Sequence, residues 1–300
     1  MSCERFRDTK FRGDSLTRIA QIKLILEDYP GQKLTARQLY YQFVARGWLE
    51  NTERSYKNTT SLITDARYAG LVDWDVIEDR GREPIQPSEW ASVDALVAAA
   101  LRQFRLPRWD GQPHYVELWV EKQALAGVLE PLARAYHATL MVNKGYSSAS
   151  AMKGAADRIR DAVEAGREPV VIYLGDHDPS GEDMVRDIRD RLTEFLGDTL
   201  ESVGVALTVD KLALTMAQIQ QYNPPPNPAK MSDARAKAYV AKYGRQSWEL
   251  DALPPNVLQA LVRGAFDALI DKKALAKVVT EERKQRARIE AVLSTEAEED

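Results

Sequence analysis

The sequence predicts a protein of α and α/β class: an N-terminal winged helix-turn-helix unit, then a domain on a parallel sheet, then C-terminal helices. Three observations predict it. Apolar residues recur at helical spacing through residues 15–70. From Tyr115 onward, short apolar runs alternate with helix-length amphipathic stretches, the pattern of a parallel sheet covered on both faces. After Asn223–Pro228 (NPPPNP) that alternation stops and helical patterning continues. The expected boundaries are 1–82 for the winged-helix unit, 83–114 for a linker, 115–215 for the α/β domain, and 216–300 for a helical segment with an acidic tail.

The elements follow in order. Ser15 to Tyr29 carries Leu16, Ile19, Ile22, Leu24 and Ile25 and stops at Pro30-Gly31, so it reads as a helix. Thr35 is a good cap for a second helix running to Gly47, and a third is expected from Thr52 to Gly70. Asp73 to Glu78 (DWDVIE) alternates like a short strand and would supply the wing. Residues 83–114 are rich in proline and tryptophan and read as a linker holding one helix, Ser88 to Phe104. Then come strand Tyr115 to Val120, helix Gln123 to Tyr136, strand Thr139 to Asn143 and helix Ser148 to Ala165. Strand Val170 to Leu174, helix Gly181 to Leu196 and strand Val205 to Leu214 complete the α/β pattern.

Composition narrows the function classes. The chain has 300 residues, enough for two compact domains, and its 29% charged residues are ordinary for a globular protein. No apolar stretch approaches the ~20 residues needed to span a bilayer, and the N-terminus is charged where a signal peptide would be apolar, so a cytoplasmic protein is expected. The single cysteine, Cys3, allows neither an internal disulfide nor a cysteine-based zinc site. A net charge of -4 argues against a generally basic nucleic-acid coat. Residues 1–72 nevertheless lean basic, through Arg5, Arg7, Lys10, Arg12, Arg18, Arg54, Lys57 and Arg67 among others.

Ligands of parallel α/β sheets bind beyond the carboxyl ends of the strands. Two strands here end in carboxylates: YVELWV delivers Glu121, followed by Lys122, and VVIYLG delivers Asp176-His177-Asp178. In extended chain, Asp176 and Asp178 point to the same side. One glutamate and an Asp-x-Asp pair at neighbouring strand ends supply the oxygen ligands that Mg²⁺ (or Mn²⁺) prefers, and a metal there can polarise a phosphodiester. Taken alone, an Asp-x-Asp after a strand is more often a helix cap or a turn. Glu117, inside the first strand, is a rival carboxylate expected to face solvent or a partner, and His177 reads as a spacer or phosphate contact.

Taken in order, VEKQALAGVL, NKGYSSASAMKGAADRI and YLGDHDPSGEDM resemble the Toprim domain of the topoisomerase VI A subunit and its meiotic break-forming relatives. Asn143 and Ser147 depart from the glycine and proline of the second motif, and LTMAQIQQYNPPPNP is a looser match. The resemblance implies a Toprim fold, Mg²⁺ held by Glu121, Asp176 and Asp178, and phosphodiester chemistry on double-stranded DNA. The family also carries Arg-x-x-x-Tyr in the preceding winged helix, which corresponds here to Arg37 and Tyr41, with Tyr41 as nucleophile.

Helix geometry makes the same choice between the two tyrosines. At about 100° per residue, Leu39, Tyr40, Phe43 and Val44 share the core face, while Tyr41 lies about 130° away, towards solvent. Arg37, one turn earlier, would favour the phenolate and hold the phosphate. The resemblance further implies a homodimer in which each tyrosine meets the partner's metal site, with staggered cuts in the two strands. Arg54, Lys57 and Arg67 are the candidate DNA-backbone contacts, with Lys122 and Lys144 nearer the phosphate. A separate ATPase subunit is possible by the same resemblance, since this sequence has no G-x-x-x-x-G-K-[ST] element. Two alternatives stand beside the transesterase. One is a Toprim endonuclease that hydrolyses DNA; the other is a winged-helix DNA-binding regulator with an inactive Toprim domain.

Overall fold

The computed structural model describes residues 3–77 and 87–296, with side chains through residue 291. Residues 297–300 of the acidic tail, the expected boundary at 82 and the last residue of the expected wing, Glu78, lie outside the described residues. Helices α1 (Asp14–Glu27), α2 (Ala36–Ala45) and α3 (Glu53–Tyr68) pack around Ile22, Ile25, Leu34, Leu39, Phe43 and Ile63. Thr35 starts α2 with a reciprocal capping box: its hydroxyl accepts from Gln38 N, and the Gln38 side chain accepts from Thr35 N.

The expected wing strand is corrected. Asp73 accepts a hydrogen bond from Asp75 N at 2.9 Å, and that turn chemistry folds Trp74–Val76 into a 3₁₀ turn. Only Ile77 makes a bridge, parallel to Leu34. Trp74 stands edge-on to Tyr68 and Phe6, so the aromatic packs instead of alternating. Helix α4 (Val93–Gln103) begins at the Ser92 cap, later than the Ser88 expected from sequence, because the Ser92 hydroxyl rather than an earlier residue accepts from Ala95 N.

Strands β1 (His114–Val120), β2 (Thr139–Val142), β3 (Glu168–Leu174) and β4 (Thr208–Ala213) form one sheet in the order β2-β1-β3-β4, every pair parallel. The mixed α and parallel α/β reading of the sequence therefore holds. Helices α5 (Ala126–Tyr136) and α10 (Pro255–Leu269) cover one face through Leu129, Leu258, Val262 and Phe266. Helices α6 (Ala149–Glu164) and α7 (Pro179–Val203) cover the other through Ile159, Met184, Ile188 and Leu192. The core continues past residue 215: Ile219 of α8 (Met216–Tyr222), Trp248 and Leu250 belong to it. A short ribbon of β5 (Asn227–Pro228) and β6 (Gln246–Ser247) flanks α9 (Ala236–Tyr243) and brings the chain back to the sheet edge, and α11 (Lys272–Glu296) closes the described chain.

Glu117 is also corrected. It is wholly buried in the central strand, where Tyr115 and Trp119 donate to it and Arg158 of α6 meets it with a two-pronged guanidinium contact at 2.9 and 3.0 Å. A buried carboxylate needs such partners, and here they come from its own strand and the overlying helix.

Candidate functional site

The two central strands end side by side, which places Glu121 and Asp176 at one edge of the sheet. Glu121 N donates to Leu174 O, and the Glu121 side chain accepts from Asp176 N at 3.0 Å. The chain after β3 is pinned to β4 by Gly175 N to Ala213 O and Leu214 N to Gly175 O, both 2.8 Å. Asp178 then caps α7, accepting from Gly181 N at 2.6 Å and Ser180 Oγ at 2.9 Å. Asp176 and Asp178 line a common cavity of about 550 Å³ with Asn227, Lys230, Trp248 and Glu249.

Lys122 is in contact with this acid cluster. Its ammonium is 2.9 Å from Asp176 Oδ1, 2.9 Å from Glu249 Oε2 and 3.6 Å from Asp251 Oδ1. Burial alone would push that ammonium's pKa down, but Asp251, Asp176 and Glu249 outweigh it and hold the pKa above the ordinary lysine range. Burial pushes Glu121 up, helped by the charges of Asp176 and Asp178. Burial also raises Asp176 and Asp251, with Lys122 opposing the rise in both. Asp251 is 1% exposed, and neither carboxylate oxygen has a hydrogen bond.

Arg37 and Tyr41 open on a second cavity of about 350 Å³, with Tyr40, Asn51, Tyr56 and Lys57 among its walls. Glu53, Asn227 and Glu249 line both cavities, so the two adjoin within a single chain. The expected exposure of Tyr41 is corrected: the residue is 3% exposed. Its ring packs on Tyr40 and on Ala252 of the Leu250–Ala252 turn, because the second face of α2 is covered by a segment some two hundred residues downstream that no helical wheel displays. Its hydroxyl accepts from Asn227 Nδ2 at 3.5 Å.

The expected easing of the phenol is corrected with it. Burial and then the Glu249 charge push Tyr41 up, and Asn227 and Arg37 only offset part of that. Arg37 does stand beside Tyr41, 5.8 Å from its ring centroid, but its guanidinium is paired with Glu249 and lies 3.2 Å from Asp251. Tyr40 is a packing residue whose hydroxyl is bonded to Glu50 O, Asn51 and Thr52.

The remaining candidates divide. Arg54 is exposed, and Lys57 is exposed, paired with Glu53 at 2.7 Å and set on the Tyr41 cavity. Lys144 is exposed in a left-handed turn, its N–H bonded to Glu121 O at 2.9 Å. Arg67 is engaged by its own helical unit: its guanidinium lies 4.4 Å over Trp74 and donates to Trp74 O, since the turn that replaces the wing captures it. His177 is no phosphate contact. It is 1% exposed and bonded to Tyr239 at 2.8 Å, amid Tyr243 and Trp248.

Sequence reasoning missed Glu249 and Asp251, which lie in a stretch patterned as helix. The available signal was Glu249-Leu250-Asp251, an acid-x-acid step with the spacing of Asp176-His177-Asp178.

Among the described residues, no three carboxylate, histidine or cysteine side chains stand as a ready-made metal cage. The donor set still suits a hard cation. It offers only oxygen, it sets Glu121, Asp176, Asp178, Glu249 and Asp251 against Lys122 and Arg37, and burial with mutual charge disfavours ionisation of Glu121. Asp178 allows its structural and ligand roles to be separated. Asparagine caps as well as aspartate, so Asp178→Asn is expected to unfold within roughly 0.5 kcal/mol of the parent in urea, while Asp178→Ala costs about 1 kcal/mol. Any loss of metal response in Asp178→Asn then belongs to the charge.

Comparisons with protein-family models, with curated proteins and with solved structures return no match.

Proposed function

We propose that the protein is a metal-dependent DNA-strand transesterase with Tyr41 as nucleophile. One observation carries the reading: the Tyr41–Arg37 cavity and the Asp176–Asp178 cavity adjoin, sharing the walls Glu53, Asn227 and Glu249. Glu121, Asp176 and Asp178 would hold Mg²⁺ or Mn²⁺, which supplies Lewis-acid polarisation of the phosphodiester when bound.

Arg37 and Lys122 hold the phosphate's non-bridging oxygens. The Tyr41 oxygen forms a bond to phosphorus while the bond to one sugar oxygen breaks, giving a phosphotyrosine link and a free sugar hydroxyl. The phenol proton passes to solvent and the departing sugar oxygen takes one up, so the exchange balances and the bond energy is retained for rejoining. A homodimer would set one such cleft on each strand of the duplex.

Tyr41's burial and its raised phenol favour a second reading, hydrolysis with Tyr41 as a packing residue. Supercoiled plasmid incubated with Mg²⁺ or Mn²⁺, then treated with detergent and protease, separates the two. The expected result is a protein–DNA adduct that survives detergent, is lost in Tyr41→Phe and is kept in Tyr40→Phe. Cutting without adduct in Tyr41→Phe establishes hydrolysis. Metal-insensitive binding without cleavage would leave a DNA-binding protein.

A further inference from the structure

Glu249 touches both cations assigned to the phosphate, and it does so through one atom. Its Oε2 is paired with Arg37 Nη2 and lies 2.9 Å from Lys122 Nζ. Two positive groups from different elements, α2 and the end of β1, thus converge on a single oxygen position. A carboxylate oxygen and a phosphate oxygen make the same demand on such a pair.

The second acid of the cluster has a different part. Asp251 is fully buried, 3.2 Å from Arg37 Nε and 3.6 Å from Lys122 Nζ, so it keeps both cations aimed from behind. The Glu249 side chain is 24% exposed and lines both cavities. Glu249 precedes the Leu250–Ala252 turn without any side-chain cap bond, while the main chain on either side is held by Trp248 to His177 and by Leu250 N to Asp176. Its carboxylate can therefore leave without the turn unfolding.

We propose that Arg37 and Lys122 form one oxyanion-binding fork, and that the Glu249 carboxylate is its displaceable resident, standing where a phosphate oxygen of the ligand binds. The naming of that ligand as a DNA phosphodiester rests on the transesterase reading; the fork itself does not.

The test uses the full chain without metal, with inorganic phosphate and a short blunt DNA duplex as separate probes in titration calorimetry. Glu249→Gln is expected to bind phosphate about tenfold more tightly than the parent, since the charged resident no longer competes. Glu249→Ala gives the same gain and keeps the test open if the glutamine variant misfolds. Adding Arg37→Gln to either should cancel the gain. Unchanged or weaker phosphate binding in both single variants overturns the fork. If phosphate tightens and the duplex tightens with it, the ligand is a nucleic-acid phosphate. If phosphate tightens while no form binds the duplex, the fork stands and the DNA reading falls.

Discussion

Exchange of Lys122 for methionine is expected to lower the free energy of unfolding by about 3–5 kcal/mol, the usual cost of stranding buried charge. The side chain is of similar length, so the loss is one of charge rather than volume. Asp176 and Asp251 would keep their burial and lose the nearest ammonium, at 2.9 and 3.6 Å. Arg37 would remain for Asp251 but makes no contact with Asp176.

The pH dependence gives this prediction a sign. Both acids already sit above the ordinary carboxylate range, and Lys122 is a group that holds them down. Without it their folded-state pKa values rise further above the unfolded ones. Such groups leave stability intact below the unfolded pKa and withdraw it as pH rises through the folded one. The deficit of Lys122→Met against the parent should therefore be large at neutral pH and shrink towards about pH 4, near the ordinary carboxylate pKa. Urea denaturation across that range checks it, and a deficit that grows on acidification contradicts it.

A comparable effect is expected from Gly181→Ala. A Cβ at this position would lie well inside contact distance of the Asp176 carbonyl oxygen and 3.0 Å from its carbonyl carbon. Both are backbone atoms of a segment pinned to β4 and to Leu250, so they cannot give way cheaply. Overpacking of this kind costs about 1–3 kcal/mol, with larger values where backbone must move. Relief requires Asp176 to shift, and Asp176 carries both the Lys122 contact and the step to Glu121. If the proposed transesterase activity holds, metal-dependent cutting should fall together with melting temperature. The Gly197→Ala exchange, in the same helix with open space at its Cβ, serves as the comparison and should stabilise the fold by about 0.5–1 kcal/mol.

The helical and parallel α/β plan was legible because buried parallel strands are continuous apolar runs. VVIYL and VELWV announce themselves, and so does the Thr35 cap beside the helix it starts. The strand-end positions of Glu121, Asp176 and Asp178 followed from that plan. What escaped was set by long-range contact. Tyr41 looked outward because a helical wheel shows one apolar face, and the cover for the other arrives from Ala252. Glu117 looked like a surface residue because alternation along β1 cannot show Arg158 above it. The alternation of DWDVIE was real, but the Asp73 turn bond and the edge-on packing of Trp74 outcompeted a lone ladder.

The return of the chain from β6 to the sheet edge bears on how separable the parts are. Residues 248–253 seal α2 on one side and the carboxyl ends of the strands on the other, with Trp248, Leu250 and Leu253 sunk in the sheet's own core. The N-terminal helices and the sheet therefore share a keystone that neither of them encodes. Excising either half would strip it of an apolar lid and of counter-charges at once, so the two should melt as a single cooperative body rather than as beads on a string.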